Sequence, residues 1–153
     1  MRDLFLTFFY TGRFPKAPGT VGSIAGALVA IPILQHMTLE TLFLGAVLLA
    51  ILGVKQIDAY EAAGGEHDDK SIVIDEVVGV WLALSLSSQT WMQFVLSVVF
   101  FRLFDIWKPS IIGRIDRNVK GGLGVMGDDV IAGLIAGIAS SMVYGAWLKF
   151  GLT

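Results

Sequence analysis

No cysteine occurs anywhere in the 153 residues. That excludes disulfide staples, thiolate metal centres and every mechanism with a cysteine nucleophile. Histidine is nearly as scarce, with only His36 and His67 present, so covalent histidine chemistry has little to draw on. No Gly-x-Ser-x-Gly elbow occurs, which removes the usual serine nucleophile of that kind. Charge is thin as well. Asp, Glu, Lys and Arg make up 16% of the chain, against about 25% in an ordinary soluble domain. The formal net charge of −2 offers no basic surface for nucleic acid. There is no internal repeat and no low-complexity segment.

What fills the space is apolar: 55% of the residues are hydrophobic, with a mean hydropathy of +0.73. The expectation is one all-α domain over residues 1–153, a multi-helix membrane bundle of about five spans. The spans are read at Val21 to Met37, Leu42 to Ile57, Ile72 to Leu86, Trp91 to Lys108 and Asp128 to Leu148. Runs of this length suit a bilayer core of about 30 Å, although buried helices of a soluble bundle would give similar runs. Pro32 is tolerable inside a membrane helix. Residues 11–23 carry two prolines and three glycines and are expected to form no regular element. The segment MRDLFLTFFY lacks a leader's cleavage site. It is expected either to lie in the membrane interface or to pack as a terminal turn.

If the spans alternate, residues 1–20, 58–71 and 109–128 share one side. Of the 11 Lys and Arg, all but Lys149 then fall on or beside that side. Such an asymmetry marks a cytoplasmic face, and every acidic motif lies there too.

Four motifs carry chemistry. Asp75-Glu76 opens an apolar run, where two adjacent carboxylates resist burial. A hard divalent cation would relieve them, and a solvated helix start would also explain them. Arg102, Asp105 and Lys108 lie three apart and share a helical stripe. They read either as a self-satisfied charge ladder or as one metal-binding acid between two phosphate-binding cations. GGLGVMGDD, residues 121–129, reads as a glycine-rich turn entering a helix capped by Asp128, with Asp129 beside it unexplained as a cap. PGTVGS places Thr20 and Ser23 at a helix start, where free N–H groups suit a phosphate or a hydroxyl simply caps. His67 reads as a solvated loop residue, and His36 falls at the opposite face.

Taken together, Asp75, Glu76, Asp105, Asp128 and Asp129 come from three segments at one depth. Their mutual repulsion calls for cations, and oxygen-rich sites favour Mg²⁺, Mn²⁺ or Ca²⁺. Mg²⁺ with a phosphate is the expected pairing. With cysteine, serine-elbow and histidine routes removed, metal-assisted attack of water on phosphorus remains. A small membrane cation-binding or transport protein, and a purely structural subunit, are the alternatives. A conducting path would spread its acids through the membrane depth, whereas these gather at one face.

PGTVGS, SIVIDEVVG, FRLFDIWKP, DRNV and GGLGVMGDDVIAG, in this order within residues 15 to 137, resemble the phosphatidylglycerophosphatase A family of bacterial membrane enzymes. The resemblance implies a Mg²⁺-dependent hydrolase in the inner membrane, multi-pass, with its site facing the cytoplasm. Its lipid substrate would be phosphatidylglycerophosphate, converted to phosphatidylglycerol in phospholipid biosynthesis. Thr20, Ser23, Asp68, Asp75, Glu76, Arg102, Asp105, Lys108, Asp116, Asp128 and Asp129 match the family pattern. Of these, Asp75, Glu76, Asp105, Asp128 and Asp129 are the expected metal ligands. Thr20, Ser23, Arg102 and Lys108 are expected to bind substrate, and Asp105, Lys108 and Asp129 to act in catalysis. Two positions depart from the pattern: Ile111 and Asp69 stand where the family often has proline. Arg13 and Lys16 lie outside it.

Overall fold

The computed structural model describes residues 2–67, 69–87 and 89–151, with the side chain of residue 116 left aside. The expected positions Asp68 and Asp116 therefore fall outside what is described, the latter in its side chain. The chain forms α1 (Arg2–Leu6), a 3₁₀ turn (Thr11–Arg13), α2 (Pro18–His36), α3 (Leu39–Ala62), α4 (Ile74–Ser85), α5 (Trp91–Trp107), α6 (Ile111–Asn118) and α7 (Gly121–Lys149). Among the described residues there is no strand, in line with the all-α expectation.

α4 is the axis of the bundle, packed by α2, α3, α5 and α7. Its sequence, IDEVVGVWLALS, is apolar on every side below the two acids, the pattern of a helix with no solvent face. Small residues let the neighbours close in. A methyl on Gly26 of α2 would lie 3.2 Å from Val77, and one on Gly133 of α7 would lie 2.3 Å from the Gly79 carbonyl oxygen. The Trp81 indole N–H donates to the Gly26 carbonyl at 2.8 Å, so the one polar atom of that large side chain is satisfied. Gly133 and Gly137 of α7, four residues apart on one face, meet α4, while Gly145 further along the helix stands in open space.

The outer surface is the reverse of a soluble protein's. Leu28, Leu44, Leu48, Ile51, Val99 and Ile138 are all exposed. Large apolar side chains exposed in this number on long apolar helices fit a membrane protein. Among the described residues, α2, α3 and α7 are long and apolar enough to cross a bilayer, three helices where about five spans were expected. α4, with 12 residues, measures only about 18 Å. It reads as a span because it is apolar, yet it is apolar because protein surrounds it. α5, with 17 residues, reaches about 25 Å.

Three local expectations also change. Residues 11–23 are not irregular throughout. A 3₁₀ turn forms at Thr11–Arg13 and α2 begins at Pro18, where a proline's missing N–H costs nothing. The loop expected after Pro109 contains α6, which buries Ile112 and turns Arg114 and Arg117 outward. The glycine-rich stretch 121–129 is helix rather than turn. α7 starts at Gly121, so Asp128 lies about two turns inside it and caps nothing. Of the two expectations for the N-terminus, packing fits: Leu6 and Thr7 are buried, and the Val73 N–H donates to the Leu6 carbonyl at 2.9 Å.

Candidate active site

The starts of α2, α4 and α7 and the ends of α3 and α5 meet at one end of the bundle. That follows from chain direction: antiparallel neighbours joined by short connections bring alternate termini together. Each of the four motifs lies at one of these termini, so the expectation that they share one depth holds for the described residues.

Asp75 and Glu76 sit in the first turn of α4, with the Glu76 N–H donating to Asp75 Oδ1 at 3.0 Å. Asp129 faces them from α7. One carboxylate oxygen from each of Asp75, Glu76 and Asp129 lies within 4.8 Å of the other two. Asp75 and Asp129 are buried, and Glu76 Oε2 is buried with no hydrogen-bond partner. The charges of Asp105, Asp75 and Asp128 all act on Asp129. An orphaned carboxylate oxygen inside a cluster of acids is costly, and a hard divalent cation is the ligand that such a donor set fits.

The cations line the rim. Arg102 donates through Nη1 to Asp105 Oδ2, one helical turn on, and through Nη2 to the Thr20 hydroxyl at 3.2 Å, joining α5 to α2. Its Nε is buried without a partner. Lys108 leaves the stripe it was expected to share. α5 ends at Trp107 and Lys108 takes the left-handed conformation, φ 44° and ψ 56°. Its Nζ donates to Asp128 Oδ2 on α7 at 2.7 Å. The 102–105–108 ladder is thus built only in its first rung, and the second cation is spent between helices. Asp105 and Asp128 each hold a cation, while Asp75, Glu76 and Asp129 form the compact acidic group.

Ser23 lies in this region but is fully buried, and its hydroxyl donates to the Gly19 carbonyl at 2.8 Å. Thr20 is one turn nearer the acids. His67 is exposed and paired with Glu61 at 2.6 Å, and His36 ends α2 at the other end of the bundle.

Two contributors are absent from the motif reading. Gly19 lies directly under Glu76: a methyl there would stand 2.2 Å from Oε1 and 3.5 Å from Arg102 Nη1. The glycine of PGT is the signal that was available, since glycine permits close approach. Asp58, at the end of α3, accepts from the Gly122 N–H at 2.7 Å. It fills the capping role expected of Asp128, from 64 residues away, and no local pattern reveals it. Nearby, the Tyr60 hydroxyl donates to Asp69 Oδ2 at 2.5 Å and the Ser71 N–H to Oδ1 at 2.9 Å. These bonds hold the Asp69 carboxyl below its ordinary value, because both stabilise the charged form.

The profile of the family described as Phosphatidylglycerophosphatase A matches residues 4–144. The chain belongs to this family. Membership makes it a phosphatase of the phosphate-monoester class. It is 42% identical over 132 residues to a protein of Escherichia coli named phosphatidylglycerophosphatase A, covering 84% of this chain and 74% of the relative. It is 36% identical over 129 residues to the protein of that name from Haemophilus influenzae, covering 84% and 79%. A Bacteroides thetaiotaomicron protein provisionally named phosphatidylinositol-3-phosphatase is 35% identical over 135 residues, covering 84% of each chain. No solved structure matches.

Proposed function

We propose that the chain is a Mg²⁺-dependent phosphatase that hydrolyses phosphatidylglycerophosphate to phosphatidylglycerol and phosphate during phospholipid biosynthesis. The observation that carries the reading is the convergence at one bundle end of Asp75, Glu76 and Asp129 beside Arg102 and Lys108. The names of the Escherichia coli and Haemophilus relatives support the substrate. The apolar exterior supports a bacterial inner-membrane location. The basic residues at the site end, Arg114, Arg117 and Lys120 among them, support a cytoplasmic orientation.

In this reading Asp75, Glu76 and Asp129 hold Mg²⁺, with Asp105 and Asp128 at the edge of the cluster. When bound, the ion would polarise the phosphate and lower the pKa of a coordinated water. Arg102 and Lys108 neutralise charge that grows on the phosphoryl oxygens in the transition state. Thr20, held by Arg102, orients the head group. Asp105, beside Asp129 and steadied by Arg102, takes the proton as the water oxygen bonds to phosphorus and the ester P–O bond breaks. The departing alkoxide takes that proton back from Asp105 and leaves as phosphatidylglycerol.

The test is phosphate release from phosphatidylglycerophosphate in mixed micelles, with phosphatidylinositol 3-phosphate as the competing substrate. EDTA is expected to abolish release and Mg²⁺ to restore it. Full turnover in metal-free buffer would end the metal-site reading, and preference for the inositol lipid would reassign the substrate. A cation-transport role is disfavoured because the acids sit at one end rather than along the helices.

A further inference from the structure

Below the Arg102–Thr20 bond, α2 and α5 diverge enough to leave an apolar groove of about 230 Å³ on the outer face of the bundle. On α2 it is lined by Ile24, Ala27 and Leu28. These stand four, seven and eight residues beyond Thr20, on the same helical stripe. On α5 it is lined by Val99, Val98 and Val95, with Phe94 at its far end. These stand three, four, seven and eight residues before Arg102, again on one stripe. The two side chains that meet at the head-group end therefore sit at the top of the two ridges that form the groove. From Thr20 to Leu28 the track runs about 12 Å along α2.

The walls are suited to one kind of occupant. No lining residue carries a charge or a hydrogen-bonding side chain, so a polar ligand would gain nothing there. Ala27 is buried at the floor, while Leu28 (60% exposed) and Val99 (55% exposed) form open rims. The groove is thus reached sideways from the surrounding lipid rather than from water. We propose that it seats the first part of one fatty acyl chain of the lipid whose phosphate is processed at the Arg102 end. The proposal rests on the lipid-phosphatase reading and adds to it a site for the chain.

A groove inside a bilayer gains no hydrophobic transfer energy, because the chain leaves one apolar medium for another. Its contribution is orientation. A chain laid between α2 and α5 fixes the glycerol unit, and through it the phosphate, against Arg102. Misplacement by about 1 Å at a reacting centre can cost roughly 100-fold in rate, so even a loosely held chain would be felt in turnover.

The experiment compares phosphate release from the full diacyl lipid and from its deacylated head-group phosphate, each as kcat and KM. Ala27→Phe fills the floor and Val99→Trp fills the rim. Leu48→Trp on the outer face of α3, which is exposed and away from the groove, is the control. The ratio of diacyl to deacylated kcat/KM is expected to fall roughly 10-fold or more in both groove variants and to stay unchanged in the control. An unchanged ratio in the groove variants overturns the proposal, as does an equal fall in the control. If Ala27→Phe loses both rates through misfolding, Val99→Trp on the open rim decides. A native chain that releases phosphate from neither substrate instead defeats the phosphatase reading, and the two failures are thereby told apart.

Discussion

Replacing Gly19 by alanine should separate the chemistry from the fold. The new methyl would lie 2.2 Å from Glu76 Oε1, where ordinary contact begins at 3.4 Å. The carboxylate oxygen must therefore retreat by about 1.2 Å, or α2 must lift away. The side chain is the softer of the two, since it ends in rotatable bonds while α2 is pinned by the Trp81–Gly26 and Arg102–Thr20 bonds. Stability should hardly change, because alanine is also the better helix former by up to about 1 kcal/mol. Activity should fall by roughly 100-fold, the scale of a displacement of about 1 Å at a reacting centre, which is about 2.7 kcal/mol of transition-state stabilisation. Gly133→Ala is the contrasting case. Its methyl would meet the Gly79 backbone oxygen at 2.3 Å, which cannot rotate away, so the α4–α7 contact must open at a cost of about 1–3 kcal/mol or more. Turnover per folded molecule, measured across a Mg²⁺ series, and thermal unfolding in detergent give the two readouts. Gly19→Ala with a native rate, or with a stability loss as large as that of Gly133→Ala, would refute the reasoning.

Asp58→Ala should cost about 1–2 kcal/mol by uncapping α7, while Asp58→Asn, which keeps an acceptor for Gly122, should recover most of it in a melting experiment. Asp105→Asn should lower kcat by roughly 100-fold with little change in KM and no recovery in excess Mg²⁺, because it removes the proton acceptor rather than a ligand of the ion. Lys108→Ala should likewise lose turnover without recovery. If instead Asp105→Asn only lowers folded yield and turns over normally, the Arg102–Asp105 pair is structural. Orientation is open to cysteine labelling, since the chain has no cysteine of its own. Asn118→Cys at the site end should react from the cytoplasmic side and Met37→Cys at the other end from outside. Labelling of both from one side would end the proposed orientation.

Composition pointed to a lipid-compatible chain, and the length of its apolar runs pointed to helices. A chain with 16% charge and 55% hydrophobic residues must satisfy its backbone internally, and helices are one of the two ways to do so in lipid. The order of the polar motifs was also readable, because ionisable residues stand out against an apolar background. Span count was not. Hydropathy treats an apolar residue facing lipid and one facing another helix alike, so α4, wrapped on all sides, imitated a span. Local pattern also misjudged where helices start. Gly121 and Gly122 look like a turn, yet an Asp58 oxygen from another helix supplies the cap that starts α7. The pairing of charges was likewise a tertiary matter. Spacing put Lys108 beside Asp105, but α5 stops one residue earlier and the lysine crosses to Asp128. Sequence spacing describes neighbours along one helix. Only the packing of α4 against α7 brings Asp75, Glu76 and Asp129 within reach of one another, because that distance depends on how closely Gly79 and Gly133 allow the two helices to approach.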